Sequence, residues 1–347
     1  MIKGSQPTDD GNFFLSAQER EELISKYPDS EKFIKQFIGA KEFIDGKLRY
    51  CFWLKDQNPN EYKKIPGLKD RLKKIVEFRK KSPTESVKKD ADIPYLFTQI
   101  RQPSSGNYLV FPRHSGANRK YIPIGFMPSD VIAGDACSIV PNANLYHFGI
   151  LTSSVHMAWT RVVCGRLKED FRYNPSVYNN FVWPTVTEEQ KNKIEEKAKK
   201  ILDARQLSNM SLLDMYSELT MPKELIKAHR ENDKIVMEAY GFNSAMNDED
   251  IVTELMKEYS KRVKEIEKEE EKLKQQKKPK PIQQTIPPTD ILGNKKVQRN
   301  GKKNHQIVTS KYRGPKGETW SGRGRTPIWL SSLIHEGHDK SEYLISE

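Results

Sequence analysis

The first candidate binding residues lie near the end of the chain, in the segment KGETWSGRGRTPIWL at 316–330. Arg323 and Arg325 flank Gly324 in this segment, and Glu318 is its only acid. The segment therefore predicts a contact with a negatively charged partner.

The charge around this segment indicates what kind of partner it is. Residues 295–330 contain ten Lys and Arg residues against one acid, so this stretch holds +9 of the chain's net charge of +12. Concentrated positive charge is the electrostatic signature of a nucleic-acid contact. We expect Lys302 and Lys303 to bind DNA phosphates here, and Arg313 to contact DNA beside Arg323 and Arg325.

A second set of cations precedes this tail by well over a hundred residues. Arg113, Arg119 and Lys120 lie in FPRHSGANRKYIP, and Arg161 and Arg166 lie on the polar side of a predicted helix, TSSVHMAWTRVVCGRLKEDF. Arginine pairs with guanine O6 and N7 or with a phosphate. Each of these residues is either a DNA contact or surface charge without a contact.

Motifs for catalysis, cofactors and metals are not found. No Gly-rich turn follows a strand to hold a methyl donor, and YNPSVYNNF keeps only the Asn-Pro pair of an NPPY motif. No GxxxxGK[ST] segment occurs. His335 and His338 form an HxxH pair without further ligands. The sequence predicts no enzyme, no cofactor and no metal site.

Composition is consistent with a DNA-binding protein of the cytoplasm. The chain has 347 residues, of which 36% are hydrophobic, with a pI near 9.3 and a mean hydropathy of −0.77. Cys51, Cys137 and Cys164 are isolated and have apolar neighbours, as buried reduced thiols do. No apolar run is long enough for a membrane span. We expect a cytoplasmic, nucleoid-associated protein.

The secondary structure predicted around these cations indicates an α+β fold. Residues 1–185 combine an alternating strand, KLRYCFWL, with the apolar runs NYLVFP, YIPIGF, CSIVP and LYHFGIL, which indicate strands joined by irregular connections. Helices are predicted at 19–26, 30–37 and 67–81, and behind the Thr/Ser cap at 152–154.

The rest of the chain is organised differently. Residues 186–277 predict three helices, and Pro222 suits the first position of the second one. Residues 278–310, beginning with KPKPIQQTIPPTD, form a Pro-rich and basic linker. Residues 311–347 then form a small tethered α+β module.

Residues 4–265 resemble a known family. The segments GSQPTDDGNFFLS, RKYIPIGF, NANLYHFGILTSSVHMAWTRVVCGRLKEDFRYNPSVYNNFVWP and SLLDMYSELTMPKELIKAHRENDKIVMEAYGF resemble the target-recognition domain and C-terminal helical region of MmeI-like restriction–modification enzymes. The resemblance implies a domain that reads a short asymmetric DNA sequence in the major groove. In that family a nuclease and an adenine methyltransferase precede this part. The resemblance of residues 4–265 covers only the recognition and helical regions, so it does not imply a catalytic activity for this chain.

The tail resembles a second family. KYRGPKGETWSGRGRTPIWL, followed by KSEYLI, is similar to the C-terminal DNA-binding domain of H-NS-family nucleoid proteins, and Arg323-Gly324-Arg325 matches its Q/R-G-R core. The resemblance implies insertion into the minor groove of AT-rich DNA. There the narrow groove concentrates the negative potential that attracts arginine. Trp320 and Trp329 are expected to pack the small core.

Three functions follow from these observations. The first is a non-catalytic, sequence-specific DNA-recognition protein with a tethered AT-preferring module, whose partner is double-stranded DNA. The second is the specificity part of a split adenine-specific methyltransferase, which requires a separate methyltransferase or nuclease chain. The third is a nucleoid or silencing protein that binds AT tracts broadly.

Overall fold

The computed structural model of the chain describes residues 1–276, 311–315, 318–321, 327, 330, 333–334 and 338–345. The chain divides into two compact units, Met1–Pro279 and Lys280–Glu347. The first unit combines helices with antiparallel and mixed sheets, which confirms the α+β class. Within the described ranges, no helix has the length and apolar character needed to cross a membrane.

The described strands are short and fall into four sheets. Their bounds are β1 Ile2–Lys3, β2 Phe14–Leu15, β3 Ile34–Ile38, β4 Tyr50–Phe52, β5 Asn107–Pro112, β6 His114–Ser115, β7 Gly125–Pro128, β8 Ile132–Ala133, β9 Cys137–Pro141, β10 Gly165–Leu167, β11 Asp170–Arg172, β12 Tyr312–Arg313 and β13 Thr319–Trp320. The sheet orders are β1-β9-β5-β7, β2-β4-β3-β8, β10-β11-β6 and β12-β13. All pairings are antiparallel except β3 with β8.

The α-helices lie mainly in two groups, one between β4 and β5 and the other after β9. Their bounds are α1 Ala17–Lys26, α2 Ala40–Asp45, α3 Pro59–Tyr62, α4 Leu68–Lys80, α5 Glu85–Lys89, α6 Leu145–Leu151, α7 Ser154–Val163, α8 Pro175–Asn179, α9 Glu188–Gln206, α10 Leu212–Met215, α11 Lys223–Tyr240 and α12 Asp248–Gln276. The 3₁₀ segments are Pro28–Phe33, Asp90–Asp92 and Lys340–Tyr343.

Several predicted elements are confirmed, and their caps explain where they begin. The helix predicted at 19–26 is α1, which starts at a capping box formed by Ser16 and Glu19. The helix predicted at 67–81 is α4. The run LYHFGIL, predicted as a strand, is the helix α6, because Asn144 caps its first turn.

Two other predictions near the N-terminus were wrong in part. The helix predicted at 30–37 is a 3₁₀ turn that passes into β3, because Ile34–Ile38 pairs with β4 on one side and β8 on the other. The strand KLRYCFWL is shorter than predicted, and its alternation fails. Cys51 and Phe52 are both buried, and both belong to one hydrophobic cluster with Phe13, Phe33 and Phe37.

Residues of the predicted recognition and helical regions share one hydrophobic core. It contains Phe111 and Trp159 from the first range and Ile201, Val236 and Leu255 from the second. The helices α6 and α9 approach closely at Gly149, where a Cβ atom would meet Ile194 Cγ2 at 2.6 Å. Pro222, predicted at the first helical position, instead has extended backbone and caps α11.

The described residues of the second unit form a small cluster around a hairpin. Strands β12 and β13 pair antiparallel, and the rings of Tyr312 and Trp320 lie 5.3 Å apart. The Lys340 ammonium lies 4.9 Å from the Tyr312 ring centroid and 4.8 Å from that of Trp320. The half-buried Trp320 therefore packs against Tyr312 and Lys340 of this module, while Trp329 lies outside the described residues.

Candidate nucleic-acid interface

The strands β10, β11 and β6 form a small sheet that carries several of the candidate cations. Arg172 pairs with Gly165 on one side and with His114 on the other, and Phe171 pairs with Arg166 and Ser115. Phe171 and Ser115 are buried, whereas His114 and Arg172 are exposed. Because side chains alternate along a strand, this sheet has one buried face and one face that presents His114 and Arg172 outward.

The prediction that Arg166 lies on a helix was wrong. Helix α7 ends at Val163, Cys164 has extended backbone, and Gly165–Leu167 is β10. The change of conformation lets Phe171 of the facing strand enter the core. The Arg166 Cζ atom lies 4.1 Å from the centroid of the Phe171 ring, and the guanidinium donates to the carbonyl of Glu169 at 3.1 Å. These contacts within the hairpin hold the guanidinium in place.

The turn that joins β10 to β11 exposes one further cation. Lys168 has a φ of 56°, a left-handed backbone that residues other than Gly and Asn rarely adopt. Such strain is found at binding sites more often than elsewhere, since the surrounding structure must hold it. Lys168 is exposed at the tip of the hairpin, where it can reach a partner without rearrangement of the fold.

Arg161 lies on α7, as predicted, and is engaged within the protein. Its guanidinium forms an ion pair with Asp248, which opens α12. Arg113 is half-buried and donates to the carbonyl of Asp135 at 3.0 Å. In this structure both arginines join segments of the first unit to each other.

Arg119 and Lys120 lie on the loop between β6 and β7. Burial lowers the pKa of the half-buried Arg119 guanidinium from its ordinary value. Lys120 is exposed, and its ammonium lies 5.5 Å from the centroid of the Tyr121 ring. This loop therefore offers one exposed and one partly buried cation.

Buried polar contacts fix this loop to the helical region. Tyr121 donates to Asp233 of α11 at 2.6 Å, and the same carboxylate accepts the Ser154 backbone N–H at 2.7 Å. Burial raises the pKa of Asp233. The Tyr121 ring also stacks on His229 with centroids 4.0 Å apart. Through these contacts, α11 holds both the cation-bearing loop and the first turn of α7.

A further buried pair supports the same loop from below. Arg205 of α9 donates to the carbonyl of Ile124 at 2.6 Å and to the Tyr216 hydroxyl at 2.8 Å. The Tyr216 hydroxyl also contacts His229 Nε2 at 2.8 Å. Burial keeps the pKa of His229 well below its usual value, so this imidazole is neutral beside the Arg205 charge.

In the second unit, Arg313 is exposed on β12 opposite Thr319. Arg323, Gly324, Arg325, Lys302 and Lys303 lie outside the described residues, and so does His335. His338 contacts Glu342 at 3.0 Å. Over the described part of the chain, no group of three or more His, Cys, Asp or Glu side chains is placed to hold a metal ion.

Sequence reasoning missed His114, Lys168 and Arg172 as candidates. The segment GRLKEDFR contains the signal, because a buried Phe alternates with charged residues around a polar pair that suits a turn. The helical pattern that begins at Ser154 continues into this segment and obscured the hairpin.

Comparison with known proteins agrees with this architecture. Residues 1–185 match the family described as "MmeI, target recognition domain", residues 186–267 match "MmeI, C-terminal domain", and residues 308–345 match "H-NS histone C-terminal domain". The chain belongs to the MmeI target recognition domain family. None of the three matched domains is a catalytic one.

Two relatives are longer proteins that this chain matches over part of their length. It is 37% identical over 258 residues to "DNA methyltransferase A" of Bacillus subtilis (strain 168), covering 74% of this chain and 29% of that protein. It is 40% identical, with a TM-score of 0.73, to a Type IIL restriction-modification enzyme MmeI solved in complex with DNA, covering 76% of this chain and 35% of that one. The chain thus spans about a third of each relative.

Proposed function

We propose that this chain is a sequence-specific DNA-recognition protein whose first unit reads duplex DNA through the small sheet β10-β11-β6 and the adjacent loop. The observation that carries this proposal is the outward face of the sheet, where Arg172 and His114 lie side by side with the strained Lys168 at the tip. The relative solved with DNA supports the choice of ligand.

The geometry of the hairpin suits a major groove. A two-stranded ribbon fits the groove, which is about 12 Å wide, and arginine pairs with guanine in two hydrogen bonds. The buried Phe171 and the contacts of Arg166 hold the hairpin rigid, so the entropic cost of binding is small. Arg172 and Lys168 are the base-reading candidates, and Lys120 and Arg119 are positioned for phosphates.

The second unit supplies an independent contact. Arg323, Gly324 and Arg325, together with Arg313, Lys302 and Lys303, bind AT-rich minor groove and flanking phosphates in this proposal, which rests on the match to the H-NS domain. Two DNA sites joined by a linker raise the local concentration of the second site once the first is bound.

The experiment that tests this function is selection of duplexes from a random pool by the full chain, followed by sequencing. We expect enrichment of one short asymmetric sequence, with AT-rich flanks on one side. Enrichment of AT-rich composition alone, without a defined sequence, contradicts base reading by the first unit and favours a broad nucleoid role.

A second candidate function is the specificity part of an adenine-specific DNA methyltransferase. Its support is the similarity to the relative named DNA methyltransferase A, of which this chain covers 29%. A methyl-transfer assay on the selected duplex, with and without a candidate catalytic chain, tests this role. Transfer that requires both chains supports it, and transfer unaffected by this chain contradicts it.

A further inference from the structure

The positive charge of the first unit is concentrated in one segment that the recognition face does not use. Residues 63–89 contain eleven Lys and Arg residues against three acids, a net charge of +8. The rest of residues 1–276 contains 34 Lys and Arg residues against 38 acids, a net charge of −4. Without this segment, residues 1–276 would carry a net negative charge, which disfavours the approach of a polyanion.

The two arginines and the nine lysines of this segment have different roles. Arg79 is fully buried and donates to the carbonyls of Pro7, Thr8, Asp90, Ile93 and Leu96. Arg71 is half-buried and donates to the carbonyl of Phe14 at 2.9 Å. All nine lysines are exposed. The arginines therefore fix α4 to the N-terminal loop, and the lysines face solvent.

We name four of these exposed lysines the α4 lysine face: Lys63, Lys69, Lys73 and Lys80. Positions 69, 73 and 80 lie on one side of a helix, because their spacing matches the 3.6-residue period. Lys63 joins Lys69 and Lys73 around a shared groove of about 500 Å³. The stretch from Lys69 to Lys80 is about 16 Å long, the axial length of roughly five nucleotides of one DNA strand.

Charge complementarity determines what this face fits. Lysine ammonium groups are compact charges that bind phosphates without reading bases. The ion pair that Lys73 makes is an exposed one with Asp70 at 3.4 Å, and pairs of this kind contribute little and exchange readily. We propose that the α4 lysine face is a sequence-independent binding site for the sugar–phosphate backbone of duplex DNA, separate from the base-reading hairpin. The proposal deepens the proposed DNA-recognition function and rests on it.

The test compares two quadruple variants of the full chain that remove the same charge. One is Lys63→Gln, Lys69→Gln, Lys73→Gln and Lys80→Gln. The matched control replaces Lys191, Lys193, Lys199 and Lys200 by Gln on α9, where each lysine is exposed or half-buried and paired with a helix carboxylate. Circular dichroism and thermal unfolding verify that both variants are folded.

Fluorescence anisotropy is measured across a salt series on the selected duplex and on a scrambled duplex. We expect the α4 variant to bind both duplexes at least about tenfold more weakly and to lower the log–log salt slope by about 0.9 for each phosphate that is no longer neutralised. The control variant should retain the wild-type slope. Equal effects of the two variants, or an unchanged slope in the α4 variant, overturn the proposal.

A second measurement identifies the occupant directly. Lysine acetylation by a small reagent, read by mass spectrometry, should be slowed at Lys63, Lys69, Lys73 and Lys80 by duplex DNA and not at the control lysines. The groove at this face also contains Leu72 and Val76, so an acidic protein segment is the competing occupant. If DNA does not slow the acetylation of these four lysines, the proposal is contradicted and the acidic protein segment is favoured. If hairpin variants bind normally while these lysines are protected, base reading by the hairpin fails and the lysine face stands.

Discussion

Tyr121 and Asp233 lie 112 positions apart in the sequence and are joined by a 2.6 Å hydrogen bond inside the first unit. Tyr121 belongs to the loop that carries Arg119 and Lys120, and Asp233 belongs to α11. The helical region thus fixes the position of the loop that carries Arg119 and Lys120.

Removing this bond should weaken the fold and the loop together. Tyr121→Phe removes the hydroxyl that donates to the buried Asp233 carboxylate, so we expect a loss of about 1–3 kcal/mol in the free energy of unfolding. Urea denaturation followed by circular dichroism measures it. Tyr27→Phe, at an exposed tyrosine, is the control and should change stability by less than about 0.5 kcal/mol. An unchanged free energy of unfolding in Tyr121→Phe would show that this hydrogen bond does not stabilise the fold.

Arg79 should be among the most sensitive positions of the first unit. Its guanidinium satisfies carbonyls of the loop at Pro7 and Thr8 and of the segment that follows α5. Arg79→Lys keeps the charge but has three donors where arginine has five, so several buried carbonyls lose their partner. We expect a loss of about 3–5 kcal/mol, seen as a lower urea midpoint. Arg71→Lys, which keeps the charge at a half-buried arginine of the same helix, is the comparison and should cost clearly less. Equal losses would contradict this ranking.

Stability should fall in mild acid because two buried histidines resist protonation. Burial lowers the pKa of His156 to about 3 and lowers that of His229 well below its usual value. Since the unfolded chain takes up these protons near pH 6.5, the stabilisation is complete above that pH and is lost as the pH falls toward the folded-state pKa. Each histidine contributes about 1.4 kcal/mol per pH unit in that window.

A variant isolates the His156 part of this dependence. The imidazole Nε2 contacts the Tyr173 hydroxyl at 2.8 Å, and Gln offers an amide in its place without a group that titrates. The free energy of unfolding of His156→Gln, measured in urea between neutral pH and about pH 5, should change less steeply than that of the wild type. An identical slope in both proteins would show that His156 does not cause the acid dependence.

The sequence was sufficient for the elements that local signals define. The helix predicted at 19–26 is present as α1, although it begins two residues earlier, and the charge of the tail indicated a DNA-binding module. The sequence was insufficient where tertiary pairing decides. Gly165–Arg172 continues a helical pattern, yet it becomes a hairpin because β11 pairs with β6 and buries Phe171. The partners of Arg79 and Asp233 lie far away along the chain and could not be inferred from local patterns.

The arginine pair of the tail should discriminate between kinds of DNA. Arg323→Ala with Arg325→Ala should weaken binding to AT-rich duplexes by about two orders of magnitude, since each groove arginine contributes roughly 1–3 kcal/mol. On GC-rich duplexes the loss should be small, because the guanine amino group obstructs the minor groove. Lys302→Ala with Lys303→Ala should weaken binding to both duplexes alike. Fluorescence anisotropy on matched AT-rich and GC-rich duplexes distinguishes the arginine variant from the lysine variant. Equal losses of affinity on both duplexes for the arginine variant would contradict minor-groove binding and would indicate a non-specific basic tail.

Base reading by the exposed hairpin β10–β11 can be measured on the duplex selected by the full chain. Arg172→Ala and Lys168→Ala should each reduce affinity for this duplex by roughly tenfold or more, because a side chain that reads a base contributes about 1–3 kcal/mol. Both variants should bind a scrambled duplex nearly as well as the wild type, so the ratio of the two affinities falls. An unchanged ratio in both variants would contradict base reading by this sheet.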